Sequence, residues 1–109
     1  MRIPDDIRPD ERILILGIPG PDAVAAIARI LCDGALVVMA EGDALYEARR
    51  AAREFDNVMF VPGSPDDLAW RDGFFTRVLD IVGSWENPGK VQREIQRVTL
   101  PVAPRSVNG

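Results

Sequence analysis

Four short apolar runs recur along the chain, each bounded by charge, glycine or proline. Arg12 to Gly17 (RILILG) and Ala35 to Ala40 (ALVVMA) are nearly continuous in hydrophobic residues. That pattern suits strands buried on both faces, as in a parallel sheet. Asn57 to Val61 predicts a third strand, its core at Val58–Val61, and Thr76 to Val82 a fourth, interrupted by Asp80. Between them the apolar spacing changes from continuous to helical. Val24, Ile27, Ala28 and Leu31 predict a helix over Ala23 to Cys32, with Asp22 as its N-cap and Cys32 as a small buried hydrophobe. Gly34 sits where a helix end wants positive φ. Leu45, Ala48, Ala52 and Phe55 predict a second helix, Ala44 to Phe55, capped by Asp43, with a solvated face of Glu47, Arg49, Arg50, Arg53 and Glu54. Pro88 opens a last helix that presents Val91, Ile95 and Val98.

Strands alternating with helices at this spacing imply βαβ units and an α/β fold. The expected architecture is a three-layer Rossmann-like parallel sheet, strand order 3-2-1-4, with helices on both faces. The 109 residues fit one domain, with residues 1–11 as a lead-in loop and residues 100–109 as an extended, proline-rich tail.

Composition narrows the chemistry. Histidine is absent, which removes the commonest general base and metal ligand and excludes a Ser-His-Asp or Cys-His hydrolase within this chain. No metal site and no catalytic residue stands out. The single cysteine, Cys32, forbids an internal disulfide and suits a reducing cytoplasm. With 13 basic and 17 acidic residues the net charge is −4, so no basic footprint points to nucleic acid or anionic membrane. No apolar run approaches the roughly 20 residues of a membrane span. The opening MRIPDDIRPDER is too polar for a secretory signal.

The stretch from Asn57 to Asp80, NVMFVPGSPDDLAWRDGFFTRVLD, carries a longer pattern. Gly63, Leu68, Asp72, Gly73, Phe75 and Val78 fall in register with G-D-A-x-x-L-P-F-x-D-G-x-F-D-x-V, Trp70 standing for the usual Phe. This resembles the middle of class I S-adenosylmethionine (SAM)-dependent methyltransferases. The resemblance aligns ILILGIPGPD with the family's glycine-rich loop. Gly17 matches its first glycine, Ile15 takes the place of an acid, and Pro19 and Pro21 replace later glycines around Gly20. It implies that Glu41, followed by Gly42, meets a ribose; a solvated strand-end acid is the alternative reading. It also implies that Gly63, Ser64, Pro65 and Asp66 border the adenine, Ser64 replacing the family's acid and Asp66 or Asp67 substituting for it. The alternative there is an exposed acidic turn with Leu68 and Trp70 plugging the core. Ser84 and Trp85, after the fourth strand, stand where substrate-facing residues lie.

The resemblance spans the first half of the family's fold, and REIQRVTLPVAPRSVNG resembles the E-x-x-R-V-L-x-P-G-G helix end that leads to a fifth strand. The expectation is a small degenerate methyltransferase-like domain, a binding or assembly module with SAM affinity weak or lost. Two alternatives stand beside it. One is a minimal SAM-dependent methyltransferase completed across a dimer. The other is a Rossmann module for another nucleotide, such as a dinucleotide. An open fourth strand, with Phe74, Phe75 and Trp85 as apolar surface, predicts a homodimer through that strand, the last helix or the tail after Pro101.

Overall fold

The computed structural model describes residues 1–100. Its elements are β1 (Arg12–Leu16), α1 (Pro21–Ile30), β2 (Ala35–Ala40), α2 (Ala44–Ala51), β3 (Val58–Pro62), β4 (Arg77–Asp80) and α3 (Pro88–Val98). The sheet order is β3-β2-β1-β4, as the alternation predicts. All three pairings are parallel, with Ile13 opposite both Leu36 and Arg77, and Leu36 opposite Val58.

Side-chain alternation divides the core. Ile13, Ile15, Leu36 and Val38 face α1 and α2, meeting Val24, Ile27, Leu31 and Leu45. Leu14, Leu16, Val37 and Met39 face the other way, against Leu68, Phe75 and Val98. That second layer is built from α3 and the irregular segment between Gly63 and Thr76. It leaves the edge strand's Met59 59% exposed.

Several boundaries differ from expectation for local reasons. Helix α1 begins at Pro21, whose missing N–H costs nothing at a first helical position. Gly20 is therefore the N-cap, and Asp22 lies in the first turn without a capping bond. The helix ends at Ile30, Leu31 fills the core, and Cys32 is exposed rather than buried. Gly34 is required for space, not for positive φ: a Cβ there would sit 2.1 Å from the Glu11 carbonyl oxygen. Asp43 does hold the N-cap position of α2, but makes no side-chain cap bond. Helix α2 stops at Ala51, and Phe55 packs on the core from the turn that follows. Asn57 then donates to the carbonyls of Ala28 and Leu31, both at 2.9 Å, satisfying two terminal acceptors of α1.

The lead-in loop has no regular structure, yet it closes the amino end of the sheet. Glu11, 2% exposed, accepts from the Arg8 amide, Thr76 Oγ1 and the Arg77 guanidinium, which also reaches Asp6. Burial pushes the Glu11 pKa up, but those donors outweigh it and leave it below the ordinary value.

On the outer side of β4 the chain after α3 begins to cover the edge. The Phe75 amide donates to Val98 O and the Leu100 amide to Phe75 O, each at 2.8 Å, in a parallel bridge between Phe75 and Thr99. Phe75 is fully buried, which corrects its expected place on an exposed apolar surface. Phe74 is half-buried, with the guanidinium groups of Arg12 and Arg71 over its ring. The tail after Pro101 lies outside the described residues. Among the described residues no helix is long and apolar enough to cross a membrane.

Candidate functional site

The strand order places a switch point between β1 and β4: the chain steps outward through β2 and β3, then crosses back to β4. Crevices form beyond carboxyl strand ends at such points. Here the ends are held together by backbone bonds. The Gly17 amide donates to Met39 O at 2.9 Å, and the Gly63 amide to Ala40 O at 3.2 Å. Both glycines leave their strands at positive φ, 114° and 150°. At Gly17 the need is also steric, because a Cβ would meet Ile81 Cγ1 at 2.8 Å and Val82 Cγ2 at 2.9 Å.

Two adjoining cavities result. The inner, about 370 Å³, is lined by Gly17, Ile18, Met39, Ala40, Glu41, Gly63, Pro65, Val82 and Trp85. The outer, about 250 Å³, is lined by Glu41, Ser64, Asp66, Ser84, Trp85, Glu86, Asn87 and Val91. Glu41 and Trp85 border both, so the two are halves of one crevice. Neither half has a lysine or arginine in its lining.

The sequence candidates therefore separate. Gly17, Glu41, Gly63, Ser64, Pro65 and Asp66 converge on the crevice. Pro19, Pro21 and Asp22 line a different groove, about 510 Å³, between α1 and α2. Gly20 and Gly42 are exposed and border neither half of the crevice. Ile15 is buried under α1 and α2. Ser84 does border the outer half, and the chain holds no histidine to activate it.

Beyond β4 the expected strand continuation to Val82 does not form. The Asp80 carboxylate takes over: Oδ1 accepts from the Val82 amide at 3.0 Å and the Gly83 amide at 2.9 Å. Its Oδ2 accepts from Trp85 Nε1 at 2.9 Å. This turns the chain out of the ladder and fixes the indole at the crevice. An aspartate three residues before a glycine is a local turn signal, but the indole bond has none.

The 63–76 segment is clasped to α3 by a network that sequence reading missed. Arg97 donates to the carbonyls of Leu68 and Trp70, both at 2.8 Å, and to Asp72 at 2.9 Å. Glu94 pairs with Arg97 at 2.9 Å and accepts from the Leu68 amide at 2.9 Å. The Arg97 bond, then the Leu68 amide, pull the Glu94 pKa down to about 2. Leu68 and Phe75 thus serve packing, the exposed Asp72 pairs with Arg97, and Gly73 makes a turn at φ 67°. Among the described residues no cluster of acids, cysteine or histidine could hold a metal ion.

No protein-family model matches the chain, and no curated protein sequence does. Solved structures do. One is the arsenic(III) S-adenosylmethionine methyltransferase CrArsM of Chlamydomonas reinhardtii, with TM-score 0.72 and 21% identity, over 91% of this chain and 38% of that one. Another is the Haloferax volcanii protein solved in complex with the Trm112 methyltransferase activator, with TM-score 0.74 and 19% identity, over 88% and 43%. The chain has the fold of part of a class I methyltransferase. The [4+2]-cyclase SpnF is as similar, at TM-score 0.75 and 21% identity, over 87% of this chain and 37% of that one. The methyltransferase-like fold therefore does not by itself name a reaction. The chain spans about two fifths of the length of these three structures.

Proposed function

We propose that the chain binds SAM weakly in the crevice and works as a binding or assembly module rather than an efficient catalyst. One observation carries this reading. Gly17, Glu41 and Gly63 converge at the carboxyl ends of β1, β2 and β3, on a crevice lined by carboxylates and by no basic side chain. The sulfonium and ammonium groups of SAM are cations and suit that lining. The pyrophosphate of a dinucleotide would find no cation there, which disfavours the other-nucleotide reading. Weakness is supported by Pro65, which has no N–H to offer, and by Ser64 and Ile15 in places where the related family carries acids.

An enzyme reading has one observation of its own. Among the described residues, the outer edge of β4 beyond the Phe75 bridge has no partner strand. A homodimer, or a protein partner as in the Haloferax volcanii complex, would complete the wall of a minimal methyltransferase there. Methyl transfer proceeds largely by positioning, so the absent histidine is no bar. The cytoplasm is the proposed location, on cysteine usage alone.

Calorimetric titration with SAM tests the main reading. The expected dissociation constant is micromolar or weaker, and Glu41→Ala lowers affinity about tenfold by removing a charged acceptor. Submicromolar binding would overturn the weak-binding reading, and an unaffected Glu41→Ala would overturn the pose. Light scattering at high micromolar concentration tests the dimer; a monomer refutes it.

A further inference from the structure

We infer that Trp85 is the recognition wall for a second ligand, a small organic cation such as a quaternary or protonated amine, bound beside the proposed SAM place. The inference rests on the reading of the crevice given above. Carboxylates alone would make only a solvated acidic rim. The indole changes this, because it offers a fixed aromatic surface between the two halves of the crevice. Its ring nitrogen is held by Asp80 Oδ2 at 2.9 Å, and the same carboxylate holds the turn through the Val82 and Gly83 amides. An indole face attracts a cation through its quadrupole, most strongly where water is partly excluded. Trp85 is half-buried, and Glu41 borders both cavities with it. With no lysine or arginine in the lining, no basic side chain repels a cation.

Asp80 is a positioning residue in this arrangement. Asp80→Asn separates its two duties. An amide oxygen still accepts from Val82 and Gly83, but the amide nitrogen and Trp85 Nε1 are both donors. The turn persists and the indole is released.

The test uses the full chain carrying Trp70→Phe, so that emission reports Trp85. Choline and its neutral isostere 3,3-dimethylbutan-1-ol are titrated separately. The expected result is saturable quenching by choline, with affinity about tenfold above that of the alcohol. Trp85→Phe, followed by calorimetry, keeps part of the preference, and Trp85→Leu removes it. Asp80→Asn weakens choline binding with circular dichroism unchanged. Equal binding of choline and the alcohol, or full choline affinity in Trp85→Leu, overturns the inference. A parallel SAM titration keeps the two readings apart. SAM binding without choline preference overturns the Trp85 wall alone. Choline preference without SAM binding supports the wall and overturns the cofactor.

Discussion

The two ends of the sheet are built on opposite terms. At the amino end Glu11 is buried, and Arg8, Thr76 and Arg77 supply it with donors. At the carboxyl end Glu41 is exposed, Asp66 is half-buried, and the lining of the crevice contains no cation. One end uses a carboxylate to hold the chain together. The other leaves carboxylates facing an open crevice. Charges paired inside the fold serve stability, and those left without a counter-charge are available to a ligand.

The sharpest way to break this comparison is to remove one acid from each end. Glu11→Ala strands the Arg77 guanidinium with Asp6 alone and should cost about 3 kcal/mol, as removing one partner of a buried pair does. Glu41→Ala should change stability by less than about 0.5 kcal/mol, as an exposed substitution does. Urea denaturation of both variants checks this. Equal losses would refute the division of labour.

Next in size is Gly17→Ala. Its φ of 114° and the 2.8 Å approach to Ile81 Cγ1 make any side chain strained. A loss of about 2 kcal/mol is expected, with a shift in Trp85 emission as the Ile81–Val82 turn moves. A neutral Gly17→Ala would mean that the turn is not packed on the β1 end.

A third test uses acid. The Glu94 carboxylate is depressed from 4.5 to about 2 by Arg97 and the Leu68 amide. A group lowered in the folded state contributes stability that is complete above its unfolded value. That contribution is lost as pH falls through the folded value. Stability should therefore decline between about pH 4.5 and pH 2, and Glu94→Gln should flatten that decline. Glu11, also lowered, contributes in the same direction. Chemical denaturation at several pH values reads the slope. An unchanged slope in Glu94→Gln would separate the clasp from acid stability.

The smallest expected effect is at Pro65, which is buried and borders the inner half of the crevice. Pro65→Ala restores one amide donor. SAM affinity should rise by no more than about fivefold, the worth of one hydrogen bond. Calorimetry on this variant sharpens how much of the weakness lies in missing donors. A further loss of affinity would show that the proline shapes the crevice.

Much of the fold was legible in the residues, and less of the site. Arg12 to Gly17 and Ala35 to Ala40 declare buried parallel strands by their unbroken apolar character, and they are buried on both faces. Gly17, Glu41 and Gly63 could be placed at one end because each follows a strand of that sheet. The direction of Pro19 could not be read. It replaces a glycine of the related loop, yet it lines the α1–α2 groove and borders neither half of the crevice. Cys32 and Gly34 fit a helix-end pattern, but the chain's approach to Pro9 and Glu11 decides their roles: the Asp33 amide bonds Pro9 O at 3.1 Å.

What the sequence by itself determined was the alternation of strands and helices, and with it the sheet order and the end at which a crevice opens. Those follow from periodicity within a few neighbouring residues and from the chirality of the connections. Only the tertiary structure decided which polar groups meet. Glu11 finds Arg77 across 66 positions, and Arg97 finds Trp70 across 27. Asp80 finds Trp85 only because the ladder ends at Asp80 and its carboxylate holds the turn that follows. A charged side chain carries no local mark of its partner. Its role is set by which backbone and side-chain donors the packed sheet brings within about 3 Å of it.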